Sequence, residues 1–265
     1  MKLYNSIHEK NKKKELVFKN GKIRFNNKKT VINAKNKTKS SQKWLKRQLN
    51  NPFTNLAKIE GYLARSAYKL LEIQHKYKVF TKNIKTIIDL GCAPGSWSQV
   101  ILTNKDLQNK YVVGVDILPI KFQHPNLYFI QGNFEEKKIQ KEIIDTLKNI
   151  NNLYAVDKKK QSENGKNVKR QKNITADCII CDIAMNAVGD SMIDRICSER
   201  IVETALLFCK KYLSKNGNFV CKTIKGADMS VINEMKNVFS TVHRFKPKSS
   251  HQNSSELFLI GLKKK

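Results

Sequence analysis

The sequence predicts an α/β fold: a mostly parallel seven-stranded sheet with an antiparallel strand at its carboxyl-terminal end. Three observations carry this. From Thr86 onward, apolar runs of strand length alternate with amphipathic stretches of helical period, the pattern of repeated right-handed crossovers. A tight turn of small residues, "DLGCAPGSW", follows the first of these runs. The last two apolar runs have little but loop between them, so one of them must reverse direction.

The elements follow in order. Residues 64–77, "ARSAYKLLEIQHKY", place Ala67, Leu70, Leu71, Ile73 and Tyr77 at helical spacing. "KTIIDLG" (85–91) reads as a buried strand, and "SWSQVILTN" (96–104) starts a helix with Ser96 near its cap. "KYVVGVDIL" (110–118) and "NLYFIQGNF" (126–134) are two more strands. "EEKKIQKEIIDTLKNI" (135–150) begins with acids and carries its lysines later, as the helix dipole favours. Residues 151–176 read as a polar, basic loop, long for an α/β connection. "ADCIICDIA" (176–184) resumes the sheet, a helix covers 194–213, "NGNFVCKTI" (216–224) is a strand and 229–239 a helix. "TVHRFKP" (241–247) and "SELFLIGLKKK" (255–265) close the sheet. Strands in this order open a ligand crevice at their carboxyl ends.

The chain has 265 residues, enough for one sizeable domain with a tail. Its 51 Lys and Arg against 22 Asp and Glu leave a net charge of +29, which points to a polyanionic partner, nucleic acid foremost and an acidic membrane surface second. No apolar run approaches the roughly 18 residues that a membrane-spanning helix needs, so membrane insertion is not expected. Residues 1–60 hold 17 of the basic residues and only Glu9, Glu15 and Glu60 as acids, a net of +14. Such a segment buries little apolar surface to offset its ordering entropy. Residues 1–55 are therefore expected to be a basic leader or presequence, followed by one domain over 56–265 with a basic insertion at 151–176. Met1 is not followed by the apolar core of a secretory signal.

Six cysteines stand at 92, 178, 181, 197, 209 and 221. Cys178 and Cys181 have CxxC spacing, but no second pair accompanies them, and "DCIICDI" reads as an apolar strand in which both pack as small hydrophobes. No metal site is expected.

The turn after the first strand is the chemically informative stretch. Gly91 and Gly95 permit close backbone approach, and Ser96 opens a helix whose amino end faces the crevice. The spacing is neither GxGxxG nor GK[ST], so it suits an amino-acid moiety better than a pyrophosphate. Asp116 ends the next strand, 27 residues after Asp89, where a carboxylate accepts the ribose hydroxyls of a nucleoside. Together with the terminal hairpin, these features suggest S-adenosylmethionine and a Rossmann-like methyltransferase fold.

The sequence resembles the FtsJ/RrmJ family of ribose 2′-O-methyltransferases from about Arg65 to its end. The carriers, in the family's order, are "RSAYKLLEI", "DLGCAPGSWSQ", "GVDILP", "FIQGNF", "CDIAMN", "GNFVCKTIKG" and "FKPKSSHQNSSELFLIG". The resemblance implies a catalytic Lys–Asp–Lys–Glu set, matched here by Lys69, Asp182, Lys222 and Glu256. In that reading Lys222 is the base for a ribose hydroxyl, Lys69 a neighbouring positive charge, and the two acids orient both amines. It also implies cofactor contacts at Gly91, Pro94, Gly95, Ser96, Trp97, Asp116, Ile117, Asn133 and Asp182. Two positions depart from the family: Asn133 stands where Asp is usual in "QGD", and Met185 where Pro is usual in "DMAPN". The Asn carbonyl is expected to accept from the adenine amino group, without charge.

RNA contacts are expected at Arg65, Lys246, Lys248 and the basic 158–172 stretch, across the mouth of the crevice. The resemblance implies methylation of a uridine in large-subunit ribosomal RNA by a monomeric enzyme, and it is nearest in appearance to the family's mitochondrial branch. With the basic leader, this implies an organellar location, the mitochondrion foremost, with the cytoplasm or nucleolus as the alternative. A tRNA anticodon-loop methyltransferase and a non-catalytic ribosome-assembly factor are the alternatives.

Overall fold

A computed structural model describes residues 16–19, 22–25, 38, 42, 51–161, 174–184, 188–227, 229–251 and 254–265. The chain divides into two compact units, Met1–Arg65 and Ser66–Lys265.

In the first unit, β1 (Leu16–Lys19) and β2 (Lys22–Phe25) pair antiparallel, Leu16 opposite Phe25 and Lys19 opposite Lys22. The sequence reading contains no element there, because four-residue runs set among lysines lack the length that makes strand periodicity visible. Helix α1 (Pro52–Glu60) is bounded by local chemistry. The Asn51 side chain accepts from the backbone N–H groups of Phe53 and Thr54, Pro52 needs no N–H partner at the first turn, and Gly61 ends the helix in the left-handed region.

The second unit holds α2 (Ser66–Tyr77), β3 (Thr86–Leu90), α3 (Ser96–Thr103), β4 (Tyr111–Asp116), β5 (Leu127–Gln131), α4 (Lys137–Gln161) and β6 (Ala176–Cys181). After these come α5 (Ser191–Tyr212), β7 (Leu213–Ile224), α6 (Met229–Val238), β8 (Phe239–Phe245) and β9 (Glu256–Lys264). Its seven strands lie in the order β5-β4-β3-β6-β7-β9-β8. Strands β3 to β7 pair in parallel, and β9 inserts between β7 and β8 antiparallel to both. The antiparallel strand is thus the last one, as the missing helix before it requires. Order reverses beside β3, so the carboxyl ends of β3, β4 and β6 open a crevice.

Alternate residues of each strand face opposite layers. One face, with Ile88, Val113, Ile179, Phe219 and Leu259, packs against α4, α5 and α6 through Ile143, Leu147, Leu206 and Met235, all fully or nearly fully buried. Each such side chain contributes roughly 1.5–3 kcal/mol of transfer free energy. On the other face Phe258 of β9 meets Trp97 of α3, with ring centroids 5.7 Å apart.

Most boundaries agree with the periodicity to within a few residues. The main difference is α4, which continues to Gln161 where a loop is expected from 151. "NNLYAVDKKKQ" contains no Gly or Pro to stop a helix, the first being Gly165. Residues 162–173 lie outside the described residues, and with them most of the basic 158–172 stretch. Cys178, Cys181, Cys209 and Cys221 are fully buried in the sheet region, and no cluster of metal-binding side chains exists among the described residues. No helix of the described residues is long and apolar enough to cross a membrane.

Candidate active site

The parallel pairing of β6 with β7 places Cys181 opposite Cys221, so the next residues stand side by side, Asp182 just past β6 and Lys222 two residues before the end of β7. Antiparallel pairing of β7 with β9 puts Lys222 opposite Phe258 and Ile224 opposite Glu256. Glu256 and Lys222 therefore share a face, two positions apart along the ladder. Helix α2 crosses this face and delivers Lys69 from a turn that also buries Ala67, Leu70 and Ile73.

The four side chains form two ion pairs. Lys69 Nζ lies 2.7 Å from Glu256 Oε2, with the two side chains 8% and 19% exposed. Lys222 Nζ lies 3.0 Å from Asp182 Oδ1, at 12% and 17% exposed. The Lys222 ammonium donates its hydrogen bond to the Asp182 main-chain carbonyl at 2.6 Å, so Oδ1 sits beside the charge without hydrogen-bond alignment. A lysine buried at this point loses its charge unless paired, and each amine here has its own carboxylate.

Burial opposes the charged form of Glu256, but the Lys69 charge and hydrogen bond, the Ser250 hydroxyl and the Lys222 charge outweigh it, leaving the carboxyl below its ordinary range. Ser250 donates to Glu256 Oε1 at 2.6 Å. Its loop is tied to α2 by Glu72, whose carboxylate accepts from the backbone N–H groups of Lys248 and Ser249 at 2.7 and 2.9 Å. Neither Ser250 nor Glu72 is among the residues the sequence singles out. Ser250 carries a weak signal, a buried serine in the polar run just before Glu256, while Glu72 looks like any solvated helix acid.

The crevice on the β3–β4 side is shaped by glycines. Gly91 (φ +74°) and Gly95 (φ +102°) adopt left-handed conformations. A Cβ on Gly91 would come within 2.4 Å of Ile183 Cγ1, and one on Gly95 within 2.7 Å of Phe122 Cβ. Gly95, not Ser96, is the N-cap of α3, and no side chain caps that helix end. Its amino end therefore presents backbone N–H groups and positive dipole charge to an anionic group. Pro94 accepts from Lys121 N at 3.1 Å, drawing the following loop over the turn.

Asp116 Oδ2 accepts from Ala93 N at 2.8 Å and Oδ1 from Leu118 N at 2.9 Å, which fixes the carboxylate at the crevice edge and leaves lone pairs for further donors. Beside it Ile117 and Leu118 are 66% and 59% exposed, an apolar step next to a fixed acid. Asn133 Oδ1 accepts from Glu135 N at 3.1 Å, so its carbonyl is already engaged in a local turn. Trp97 is only 2% exposed: its indole N–H donates to the Ser66 carbonyl at 2.9 Å and its ring packs on Phe258. This side chain, expected at the cofactor, packs between the start of α2 and β9. A carboxylate-binding helix end, a fixed acid and an apolar step fit the methionine, ribose and adenine parts of S-adenosylmethionine.

Beneath the turn, Asp89 is fully buried and accepts from Ser98 Oγ at 2.7 Å. Burial pushes its carboxyl up to about 7, with Asp182 and Asp116 adding to the rise and Ser98 opposing it. Of the expected RNA-binding residues, Lys246 Nζ donates to the Ser254 carbonyl at 2.6 Å, Lys248 is exposed, and Arg65 is the last residue of the first unit. Met185 lies outside the described residues.

Comparison with known proteins agrees with this geometry. The family described as FtsJ-like methyltransferase, whose members use S-adenosylmethionine as methyl donor, matches residues 62–264. A Rickettsia bellii protein named ribosomal RNA large subunit methyltransferase E is 39% identical over 241 residues, 89% of this chain and 94% of that protein. The protein of the same name from Rickettsia conorii is 36% identical over the same shares. A crystal structure from Plasmodium falciparum, described as that of a ribosomal RNA methyltransferase, aligns with a TM-score of 0.60 and 29% identity, covering 77% of this chain and 98% of the other. With the family's motifs on the strand ends where its chemistry needs them, this chain belongs to the FtsJ-like methyltransferases.

Proposed function

We propose that this chain transfers a methyl group from S-adenosylmethionine to the 2′-hydroxyl of a uridine ribose in large-subunit ribosomal RNA. The observation that carries the reading is the pair of desolvated Lys–carboxylate contacts at one strand end, Lys222–Asp182 and Lys69–Glu256, beside a crevice suited to the cofactor. The names of the Rickettsia relatives support the substrate.

A ribose hydroxyl is a poor nucleophile at neutral pH, so the protein must align it and remove its proton. When bound, the cofactor supplies a methyl group already activated on a sulfonium. The α3 amino end, Gly91 and Gly95 would hold its amino-acid part, Asp116 its ribose hydroxyls, and Ile117 with the Asn133 turn its adenine. Lys222, as the neutral amine, takes the hydroxyl proton on Nζ while Asp182 fixes that nitrogen through its carbonyl and carboxylate. Lys69, anchored by Glu256, keeps a positive charge close by, which stabilises developing negative charge on oxygen.

The enzyme works as a monomer in this reading, because one chain supplies both ion pairs and both flanks of the crevice. The basic composition of residues 1–55 supports a mitochondrial address, and a fluorescent fusion to that segment checks it.

The test is transfer of labelled methyl from S-adenosylmethionine to large-subunit RNA, large-subunit particles and tRNA, offered separately. Label on a ribose of the ribosomal substrate, lost in Lys222→Ala with cofactor affinity unchanged, is the expected result. Label on tRNA alone would move the substrate, and full activity in Lys222→Ala would remove the assigned base.

A further inference from the structure

A cavity of about 310 Å³ opens beside Lys222, between the amino-terminal half of α5 and the carboxyl end of β7. Its lining shares Lys222 with the ion-pair cluster but includes none of the glycine turn, Asp116 or Asn133.

The cavity has a cause in the sequence. Where α5 packs on the sheet it presents Val202, Ala205, Leu206 and Cys209, all fully buried. One or two turns earlier the lining face is Ser191, Asp194, Arg195, Ser198 and Ile201, at the i, i+3, i+4, i+7, i+10 spacing of one helix face. Two serines where a packed helix would use large apolar side chains leave a space.

The walls of that space differ in chemistry. Ile183 and Ile201 are apolar. The Arg195 side chain is held by a 2.9 Å hydrogen bond from Nη2 to the Gly226 carbonyl, and a Cβ on Gly226 would lie only 3.0 Å from Nε. The guanidinium is thus pinned against a glycine backbone as a flat platform, the kind of surface on which an unpaired base stacks. The Ser198 hydroxyl, 3.4 Å from the Thr223 hydroxyl, adds a hydrogen-bonding edge. The volume is at the small end of ligand sites, roughly 300–1,000 Å³, which suits one nucleobase.

Resting on the proposed 2′-O-methylation, we infer that this cavity receives the base of the nucleotide being methylated. The ribose hydroxyl must meet Lys222, and the base attached to the same ribose turns into the space beside that lysine, stacked on Arg195 and flanked by Ile183 and Ile201. The base must leave its stack in the RNA to do so, so the site selects a nucleotide in an open or remodelled segment. Ser191, Arg195 and Ser198 then become residues that determine which nucleotide is modified.

The full chain is tested with Ser198→Leu, which fills the cavity, and Ser191→Trp, which blocks its mouth from an exposed position on the first turn of α5. Methyl transfer to large-subunit particles, cofactor affinity and thermal unfolding are measured for each. The inference expects kcat/KM for RNA to fall at least tenfold in both variants, with cofactor Kd within twofold of the parent and an unchanged unfolding midpoint. If Ser198→Leu fails to fold, Ser191→Trp decides alone, since its side chain lies outside the core. A folded variant that keeps more than half of the parent kcat/KM overturns the base site while leaving the methyltransferase reading intact. A parent that methylates no RNA substrate overturns both.

Discussion

Glu256 shows how much one carboxylate can carry at this site. It accepts from Lys69 and Ser250 and anchors one of the two ion pairs. Replacing it by Gln would leave Lys69 charged and largely buried without a counter-ion, at a cost of roughly 3 kcal/mol, measurable as a lower midpoint in urea. Because its folded carboxyl is held below the ordinary range, its contribution is fully present above the unfolded pKa and is lost as pH falls through the folded one. The acid limb of the wild-type stability curve should therefore flatten in Glu256→Gln. Asp89 has the opposite sign. With its carboxyl pushed up to about 7 by burial, the folded state holds a proton that the unfolded chain releases near pH 4, so this group's contribution declines as pH rises from about 4 to 7. Asp89→Asn keeps an acceptor for Ser98 and should remove that decline, leaving the variant more stable than wild type above pH 7 by chemical denaturation.

At the scale of an element, α3 depends on Gly95. A methyl group there meets Phe122 and forces a side chain into the left-handed region, a strain of order 1–3 kcal/mol. Gly95→Ala should lower the unfolding midpoint and weaken cofactor binding at least tenfold by calorimetry, since relieving the clash shifts either the helix end or the loop that closes over it. The carboxyl end of helix α5 is tied to the sheet through Lys264. Lys264 Nζ, on β9, donates to the carbonyls of Lys210 and Leu213 at 2.6 and 2.7 Å and to that of Cys209 at 3.4 Å. These satisfy acceptors that a helix carboxyl end leaves open, and a cation there also matches the helix dipole. Lys264→Met retains the aliphatic stem and should cost about 1–3 kcal/mol, without changing cofactor affinity.

Over the whole molecule the dominant quantity is charge. A net of +29 gives RNA association a strong sequence-independent component that falls steeply with salt. Residues 1–55 carry nearly half of that excess. Deleting them should reduce the slope of log K against log salt for large-subunit RNA and weaken binding across all RNA sequences alike, while cofactor affinity holds. Filter binding between 50 and 200 mM salt checks it. The charge gives attraction without address.

The sequence by itself determined the sheet and its reversal, because hydrophobic period and the missing helix before the last strand are local properties of the chain. Motif order also singled out Lys69, Asp182, Lys222 and Glu256 as the expected set. Their partners were decided only by the tertiary structure. Lys69 meets Glu256 across 187 residues of chain, a contact set by how α2 crosses the β7–β9 ladder, and no spacing rule encodes that. The same holds for Trp97, whose ring meets Phe258 only because α3 lies over β9. It holds also for the cavity beside Lys222, which exists because two serines of α5 happen to face a strand end. Periodicity records which face of an element is buried, whereas the shape of a site depends on which faces meet.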